Sequence, residues 1–169
     1  MPQASHTSEG DVALVVRGGE GLGREVALAL ACEGVKVVVG GPDEKAVARV
    51  VGEITCGAGV ARHVAGDLSR PADLQAILRK GVEAFGKLTL VVLLSPDMAE
   101  IARVLDTALV TLADGGRFVV VSAPSADLTA LLVRVGAGGR GLQLVVTAPE
   151  ALAGIEDGNA DAVRTLLAR

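Results

Sequence analysis

Residues 11–31, DVALVVRGGEGLGREVALALA, contain three patterns in succession. The apolar run at 11–17 is typical of a buried strand, and the glycines that follow it are typical of a tight turn. A helix is predicted next, over about residues 21–33. A strand, a glycine turn and a helix in this order predict an α/β domain in which the backbone of the turn could approach a phosphate at the helix N-terminus.

The same alternation continues along the chain. Strands are predicted at 35–39, 60–65, 88–94, 117–122 and 142–148, and helices at 43–55, 71–85, 97–113, 125–136 and 160–168. Strands that alternate with helices imply parallel pairing through right-handed crossovers. The sequence therefore predicts a Rossmann-type α/β fold: a doubly wound parallel sheet of about six strands, in the order 3-2-1-4-5-6, with helices on both faces.

The size and composition fit one domain with an aliphatic core. The chain has 169 residues, half of them hydrophobic, with two Phe and no Tyr or Trp. Such a core suits a buried parallel sheet covered by helices. We expect a polar tail at residues 1–10 and a single domain at 11–169.

Several classes of partner are disfavoured. A net charge of −4 and the lack of aromatic platforms argue against nucleic acid. The short apolar runs and the polar N-terminus argue against a membrane span or signal peptide, so we expect a cytoplasmic protein. His6 and His63 lack metal-ligand spacing, which predicts no metal site. Cys32 and Cys56 are expected to be buried, reduced thiols.

Four later segments occur in the same order as similar segments of one known protein family. They are VARHVAGDLS (60–69), FGKLTLVVLLSP (85–96), GGRFVVVSA (115–123) and GLQLVVTAP (141–149). Together with the glycine turn, they resemble the short-chain dehydrogenase/reductase family from Asp11 to about Ala168. The resemblance implies cofactor contacts at Gly18, Gly21, Leu22 and Gly23. It also implies a contact between Asp67 and an adenine ring.

The glycine turn departs from the family's Thr-Gly-x-x-x-Gly-x-Gly pattern. If Gly18, Gly21 and Gly23 match the three glycines, one residue is missing; if the last two are aligned without a gap, Arg17 occupies the first glycine position. Glu20 adds a negative charge near the expected phosphate, which opposes an anionic cofactor.

Other cofactor positions also differ. Gly40 and Gly41 stand where the family has an acidic residue for the ribose, and Asp43 is interpreted as a first-turn residue of the next helix. Leu93-Leu94-Ser95-Pro96 replaces Asn-Asn-Ala-Gly. We therefore expect absent or weak binding of NAD(P).

The resemblance also implies that the catalytic residues are missing. The family reduces carbonyls with a Tyr general acid, a Lys four residues later, a Ser and an Asn. This chain contains no Tyr; Ala123 follows Ser122 at the usual position of the catalytic Ser, and Ala108 stands at that of the Asn. We expect no catalytic residue in this chain.

Three functions remain open. The first is a non-catalytic subunit, or pseudoenzyme, that forms a homo-oligomer or pairs with a complete short-chain dehydrogenase. Helices 97–113 and 125–136, which form the family's dimer interface, carry wide apolar faces that favour pairing unless the monomer buries them. The second is an NAD(P)-dependent oxidoreductase with an atypical or partner-completed site. The third is a dinucleotide- or adenine-binding module.

Overall fold

The computed structural model describes residues 11–19, 21–95, 97–113, 115–122, 143–147 and 150. Its strands are β1 (Val12–Val16), β2 (Lys36–Gly41), β3 (Ala61–Ala65), β4 (Leu90–Leu94), β5 (Arg117–Val121) and β6 (Gln143–Thr147). Its described helices are α1 (Gly21–Cys32), α2 (Glu44–Cys56), α3 (Pro71–Phe85) and α4 (Met98–Thr111). The predicted tail at 1–10 and the predicted helices at 125–136 and 160–168 lie outside the described residues.

The six strands form one parallel sheet in the order β3-β2-β1-β4-β5-β6. This confirms the predicted fold class and strand order. The central strand β1 pairs with β2 on one side and β4 on the other, so that Val16 lies beside both Gly40 and Leu93. The strand order reverses between β1 and β4, and the loops that follow these two strands therefore diverge at this point.

Helices cover both faces of the sheet. Ala13 and Val15 of β1 pack with the buried residues of α1 and α2, whereas Val12, Leu14 and Val16 pack with those of α3 and α4. Every residue of β1 is at most 1% exposed. Burial on two faces explains the continuous apolar sequence of the strand, because neither set of alternating side chains faces water.

Strand β2 extends further than the sequence predicted. Gly40 and Gly41, which follow the predicted strand at 35–39, pair with Val64 and Ala65 of β3. The prediction was wrong because two adjacent glycines are usually a turn signal. Here the sheet requires a small residue, since a Cβ at Gly40 would lie 3.3 Å from Ile77 Cγ2 on α3.

The two cysteines are exposed free thiols, which contradicts the prediction that they are buried. Cys32 and Cys56 are the last residues of α1 and α2, respectively. At these ends the chain leaves the helix through an exposed turn, at Glu33 and Gly34 in one case and at Gly57 in the other. The prediction was wrong because the last turn of each helix extends beyond the core.

Among the described strands, β3 lies at one edge of the sheet. Val64 of this strand is buried, whereas Arg62, His63 and Ala65 are exposed. The exposure of His63 agrees with its interpretation as an ordinary strand residue. Charged and polar side chains are common on edge strands, where backbone groups lack a neighbour.

Most of the apolar face of α4 is used inside the monomer. Its buried apolar residues, together with the one that follows the helix, are Ile101, Val104, Leu105, Ala108 and Leu112. Met98 and Leu109 are partly buried and pack against the same cluster. Val110 is 78% exposed. The monomer therefore accounts for most of the apolar face on α4 and leaves Val110 as the exposed apolar side chain of this helix. Helix 125–136 lies outside the described residues.

Among the residues that the structure describes, no helix has the length and apolar character needed to cross a membrane.

The turn between β1 and α1 is closed by a very close backbone approach. A Cβ added to Gly23 would lie 2.1 Å from the carbonyl oxygen of Arg17. The backbone would have to shift to relieve this clash. Gly52 on α2 is the opposite case, because a Cβ there would meet nothing within 4 Å. The two helical glycines therefore differ in packing but not in class of secondary structure.

We predict that Gly23→Ala lowers the free energy of unfolding by roughly 2–4 kcal/mol, because the turn must open to admit one methyl group. Gly52→Ala is the matched control and should raise it by about 0.5–1 kcal/mol through helix propensity. Urea unfolding followed by circular dichroism measures both. Equal effects of the two substitutions would contradict the packing account of Gly23.

Candidate functional site

A crevice opens at the carboxyl ends of β1 and β4, where the strand order reverses. In open α/β sheets, ligands bind outside the carboxyl ends of the strands at such a point. Arg17 directly follows β1, and Ser95 directly follows β4. The side chains in these two loops therefore determine what the crevice is able to hold.

The backbone of Arg17 has φ 65°, in the left-handed region that favours glycine. This conformation agrees with the alignment without a gap, in which Arg17 occupies the position of the family's first glycine. For a non-glycine residue the conformation costs on the order of 1–2 kcal/mol. The surrounding contacts of Arg17 hold it there.

The Arg17 side chain reaches across the crevice to Glu100 in the first turn of α4. Arg17 Nε donates to Glu100 Oε1 at 2.8 Å, and a second guanidinium nitrogen donates to Glu100 Oε2 at 3.0 Å. Ser95 Oγ donates to the same Oε2 at 2.9 Å. We call this network of Arg17, Ser95 and Glu100 the Arg17–Glu100 bridge. It links the loops after β1 and β4.

The two charged partners differ in mobility and environment. The side chain of Glu100 is 7% exposed, whereas that of Arg17 is 45% exposed. The hydrogen bonds to Glu100 raise the pKa of Arg17, burial opposes this shift, and the negative charges of Glu100 and Asp97 add to it. Glu100 is thus the buried, fixed end of the bridge, and Arg17 is the end that water and solutes reach.

Two cavities meet at Arg17. One of about 250 Å³ is lined by Arg17, Pro42, Asp67, Leu68, Ser69, Asp97, Glu100 and Arg103. The other, of about 160 Å³, is lined by Arg17, Gly19, Gly41, Pro42, Asp43, Ala46 and Val47. Each is smaller than the ~300 Å³ at the lower end for small-molecule sites. Both cavities border Arg17, so a ligand in either one would lie beside this side chain.

Asp67 lines the larger cavity, where the resemblance placed an adenine contact. Its Oδ1 accepts hydrogen bonds from the backbone nitrogen and the hydroxyl of Ser69, at 2.9 and 2.7 Å. These bonds, the hydroxyl's first, lower the pKa of Asp67, and the charge of Arg70 acts in the same direction. The carboxylate therefore stays ionised and shapes the turn that leads into α3.

The residues predicted as cofactor contacts in the glycine turn differ in their surroundings. Gly18 N donates to Gly40 O at 3.1 Å, and a Cβ at Gly18 would lie 2.9 Å from Val39 Cγ1. Gly21 begins α1 with φ 56°, and Leu22 packs against the core cluster under α1 and α2. Gly21, Leu22 and Gly23 line neither of the two cavities. Glu20 lies outside the described residues.

Three further residues named in the sequence analysis have well-defined surroundings in the structure. Asp43 is the N-cap of α2, and its carboxylate accepts from Lys45 N and Ala46 N at 3.0 and 3.3 Å. This agrees with its interpretation as a helix-start residue. Ala108 is fully buried in the core, and Ser122 is buried after β5. Within the described part of the chain, no group of three His, Cys, Asp or Glu residues is placed to hold a metal.

The sequence analysis missed the Arg17–Glu100 bridge. Its two charged residues are 83 positions apart, so no local pattern connects them. A usable signal was present in the predicted strand order, which makes β1 and β4 neighbours and brings together the residues that follow them. Glu100 also lies three residues after Asp97, the N-cap of α4, a spacing typical of helix starts.

The fold and crevice define a Rossmann-type α/β protein with the ligand-binding edge of a dinucleotide-binding domain. The model of the short chain dehydrogenase family matches residues 11–94. The chain belongs to the short-chain dehydrogenase/reductase family.

Relatives and solved structures agree with this assignment. The chain is 35% identical over 99 residues to the short chain dehydrogenase/reductase astE of Aspergillus oryzae, covering 56% of this chain and 38% of that protein. It is 40% identical over 80 residues to 2,5-dichloro-2,5-cyclohexadiene-1,4-diol dehydrogenase LinX of Sphingobium indicum, covering 47% and 32%, respectively. The chain therefore spans about a third of the length of these relatives.

The fold is similar to that of a short chain dehydrogenase from Burkholderia cenocepacia solved in complex with NADP. The TM-score is 0.71, with 20% identity over 83% of this chain and 74% of the other. At this identity the likeness describes the fold.

We predict that Arg17→Ala lowers the free energy of unfolding by about 1–3 kcal/mol, because it leaves the buried Glu100 carboxylate with Ser95 alone. The value is below that for a fully buried pair because Arg17 is 45% exposed. Arg24→Ala is the matched control: Arg24 pairs with Glu53 and Glu25 on the surface, and its loss should cost under about 1 kcal/mol. Urea unfolding gives both values, and equal losses would show that the Arg17–Glu100 bridge has no special role.

Proposed function

We propose that this chain is a non-catalytic member of the short-chain dehydrogenase/reductase family that acts as a subunit, with itself or with a complete family member. The observation that carries the proposal is the connection between β5 and β6. Residues 122–142 contain neither tyrosine nor lysine. By the family resemblance, this is the segment in which the Tyr general acid and its Lys partner should stand.

The rest of the crevice supports the same proposal. The Arg17–Glu100 bridge occupies the space between the loops after β1 and β4, and it places a carboxylate where an anionic cofactor would approach Arg17. We propose that NAD(P) binds weakly or not at all. The alternative of an NAD(P)-dependent oxidoreductase draws on the activity of the relatives and requires a general acid from a partner.

A specific observation favours a second candidate, a module that binds an adenine-type ligand without turnover. The larger cavity has an ionised carboxylate, Asp67, beside the apolar Leu68, and it opens next to Arg17. A polar anchor beside an apolar wall is typical of small-ligand sites. Titration with adenosine, followed by calorimetry, separates this candidate from a purely structural subunit.

We predict that the purified chain does not oxidise NADH or NADPH with a panel of ketones and aldehydes. Loss of a positioned general acid lowers the reaction rate by about 10²- to 10⁴-fold. The weak cofactor site that we propose lowers the rate further. Absorbance at 340 nm measures the reaction, with a complete short-chain dehydrogenase as the positive control. Sustained turnover by this chain alone would overturn the proposal of a non-catalytic subunit.

We predict that the chain associates, and that Val110 lies in the contact, since it is the most exposed large apolar side chain of the described residues. Val110→Asp should shift the protein toward monomer, because a carboxylate in a contact loses its hydration. Val60→Asp is the matched control, at 46% exposure beside β3, and should leave the mass unchanged. Light scattering coupled to size exclusion measures the mass. A wild-type value of 17.0 kDa at high concentration would contradict association.

A further inference from the structure

The Arg17–Glu100 bridge joins an accessible cation to an inaccessible anion. Glu100 is held from two sides, by the Ser95 hydroxyl and by its place in the first turn of α4, where the helix dipole favours a carboxylate. Among the described residues, Glu100 alone is hydrogen-bonded to the Arg17 guanidinium, and nearly half of the Arg17 side chain is exposed. If the bridge opens, Arg17 is therefore the side chain that moves.

Arg17 lines both cavities of the crevice. Guanidinium binds carboxylate and phosphate with the same planar, two-bond geometry. The Glu100 carboxylate therefore uses the donor atoms that a phosphate in either cavity would need. An anionic ligand must compete with Glu100 for them.

The charges around the larger cavity add to this competition. Its lining includes three carboxylates, on Asp67, Asp97 and Glu100, and two guanidinium groups, on Arg17 and Arg103. The lining is therefore net negative, which disfavours the entry of an anion. Neutralising Glu100 alone leaves two carboxylates and two guanidinium groups in the lining. The same change frees Arg17.

We infer that Glu100 is an internal competitor for Arg17, so that the Arg17–Glu100 bridge acts as a latch that excludes phosphate-bearing ligands from the crevice. A ligand that presents a pyrophosphate gains entry by replacing the Glu100 carboxylate on Arg17. The inference concerns regulation of binding at this crevice, and it holds whether or not the chain has any catalytic activity.

The test uses the full chain and inorganic pyrophosphate, titrated by calorimetry at low ionic strength. Glu100→Gln preserves the size of the side chain and removes its charge. We expect this variant to bind pyrophosphate roughly tenfold more tightly than the wild type, which is about 1.4 kcal/mol. The double variant Arg17→Ala/Glu100→Gln should lose this gain, because the binding group itself is gone.

The matched control is Glu53→Gln. It removes one of the two carboxylate partners of Arg24, in a surface pair in which Arg24 Nε lies 3.2 Å from Glu53 Oε1, and it changes the net charge by the same amount. We expect its affinity for pyrophosphate to equal that of the wild type. An equal gain in Glu53→Gln, or a gain that survives the loss of Arg17, would show a general charge effect and overturn the inference.

Two further measurements keep the inference testable if Glu100→Gln folds poorly. Glu100→Asp retains the charge but shortens the side chain by one methylene. Its affinity for pyrophosphate should exceed that of the wild type by a smaller factor, roughly two- to fivefold. In the wild type, saturating pyrophosphate should shift the Arg17 side-chain Nε–H resonance in the NMR spectrum. The inference is overturned if neither variant gains affinity for pyrophosphate. It is also overturned if the Arg17 resonance does not shift. Carbonyl reduction, which tests the proposed function, is measured separately.

Discussion

The burial of β1 on both faces is the constraint on which the remaining structure depends. This strand exchanges backbone hydrogen bonds with β2 and β4, and its side chains pack alternately into the two helical layers. A strand in this position must be apolar throughout and must be followed by a turn that leads straight onto one face of the sheet. The glycine turn meets this requirement, and it places Arg17 at the carboxyl end of β1. The crevice and its bridge are consequences of that placement.

The glycine turn also shows why such a motif is a weak indicator of cofactor binding. Gly18 is confined by Val39 and by the bond of its own nitrogen to Gly40, and Gly23 by the Arg17 carbonyl oxygen. Both contacts are internal to the turn and to its neighbouring strand. A chain that had lost its cofactor would still need these two glycines in order to fold. Their presence is therefore compatible with both a binding and a purely structural role.

The fold could be predicted from the sequence, since each strand and described helix has its own local pattern. Errors arose where one residue type serves two structures, as at Gly40 and Gly41, which extend β2 although paired glycines are typical of turns. The burial of Cys32 and Cys56 was also misjudged, because a helix's last turn often extends beyond the core. The site was harder to predict: Arg17 and Glu100 meet only through the strand order, and their separation in the sequence hides the contact.

The open edge of the sheet has a consequence for how this protein behaves when concentrated. Among the strands that the structure describes, β3 has a neighbour on one side only, and an edge strand is a template for strands of other molecules. Arg62 and His63 project from this short strand into water, and a molecule that added a strand there would have to desolvate a guanidinium group. The edge therefore resists unordered self-assembly into extended sheets. Replacing these two side chains with valine would remove that protection without changing the core.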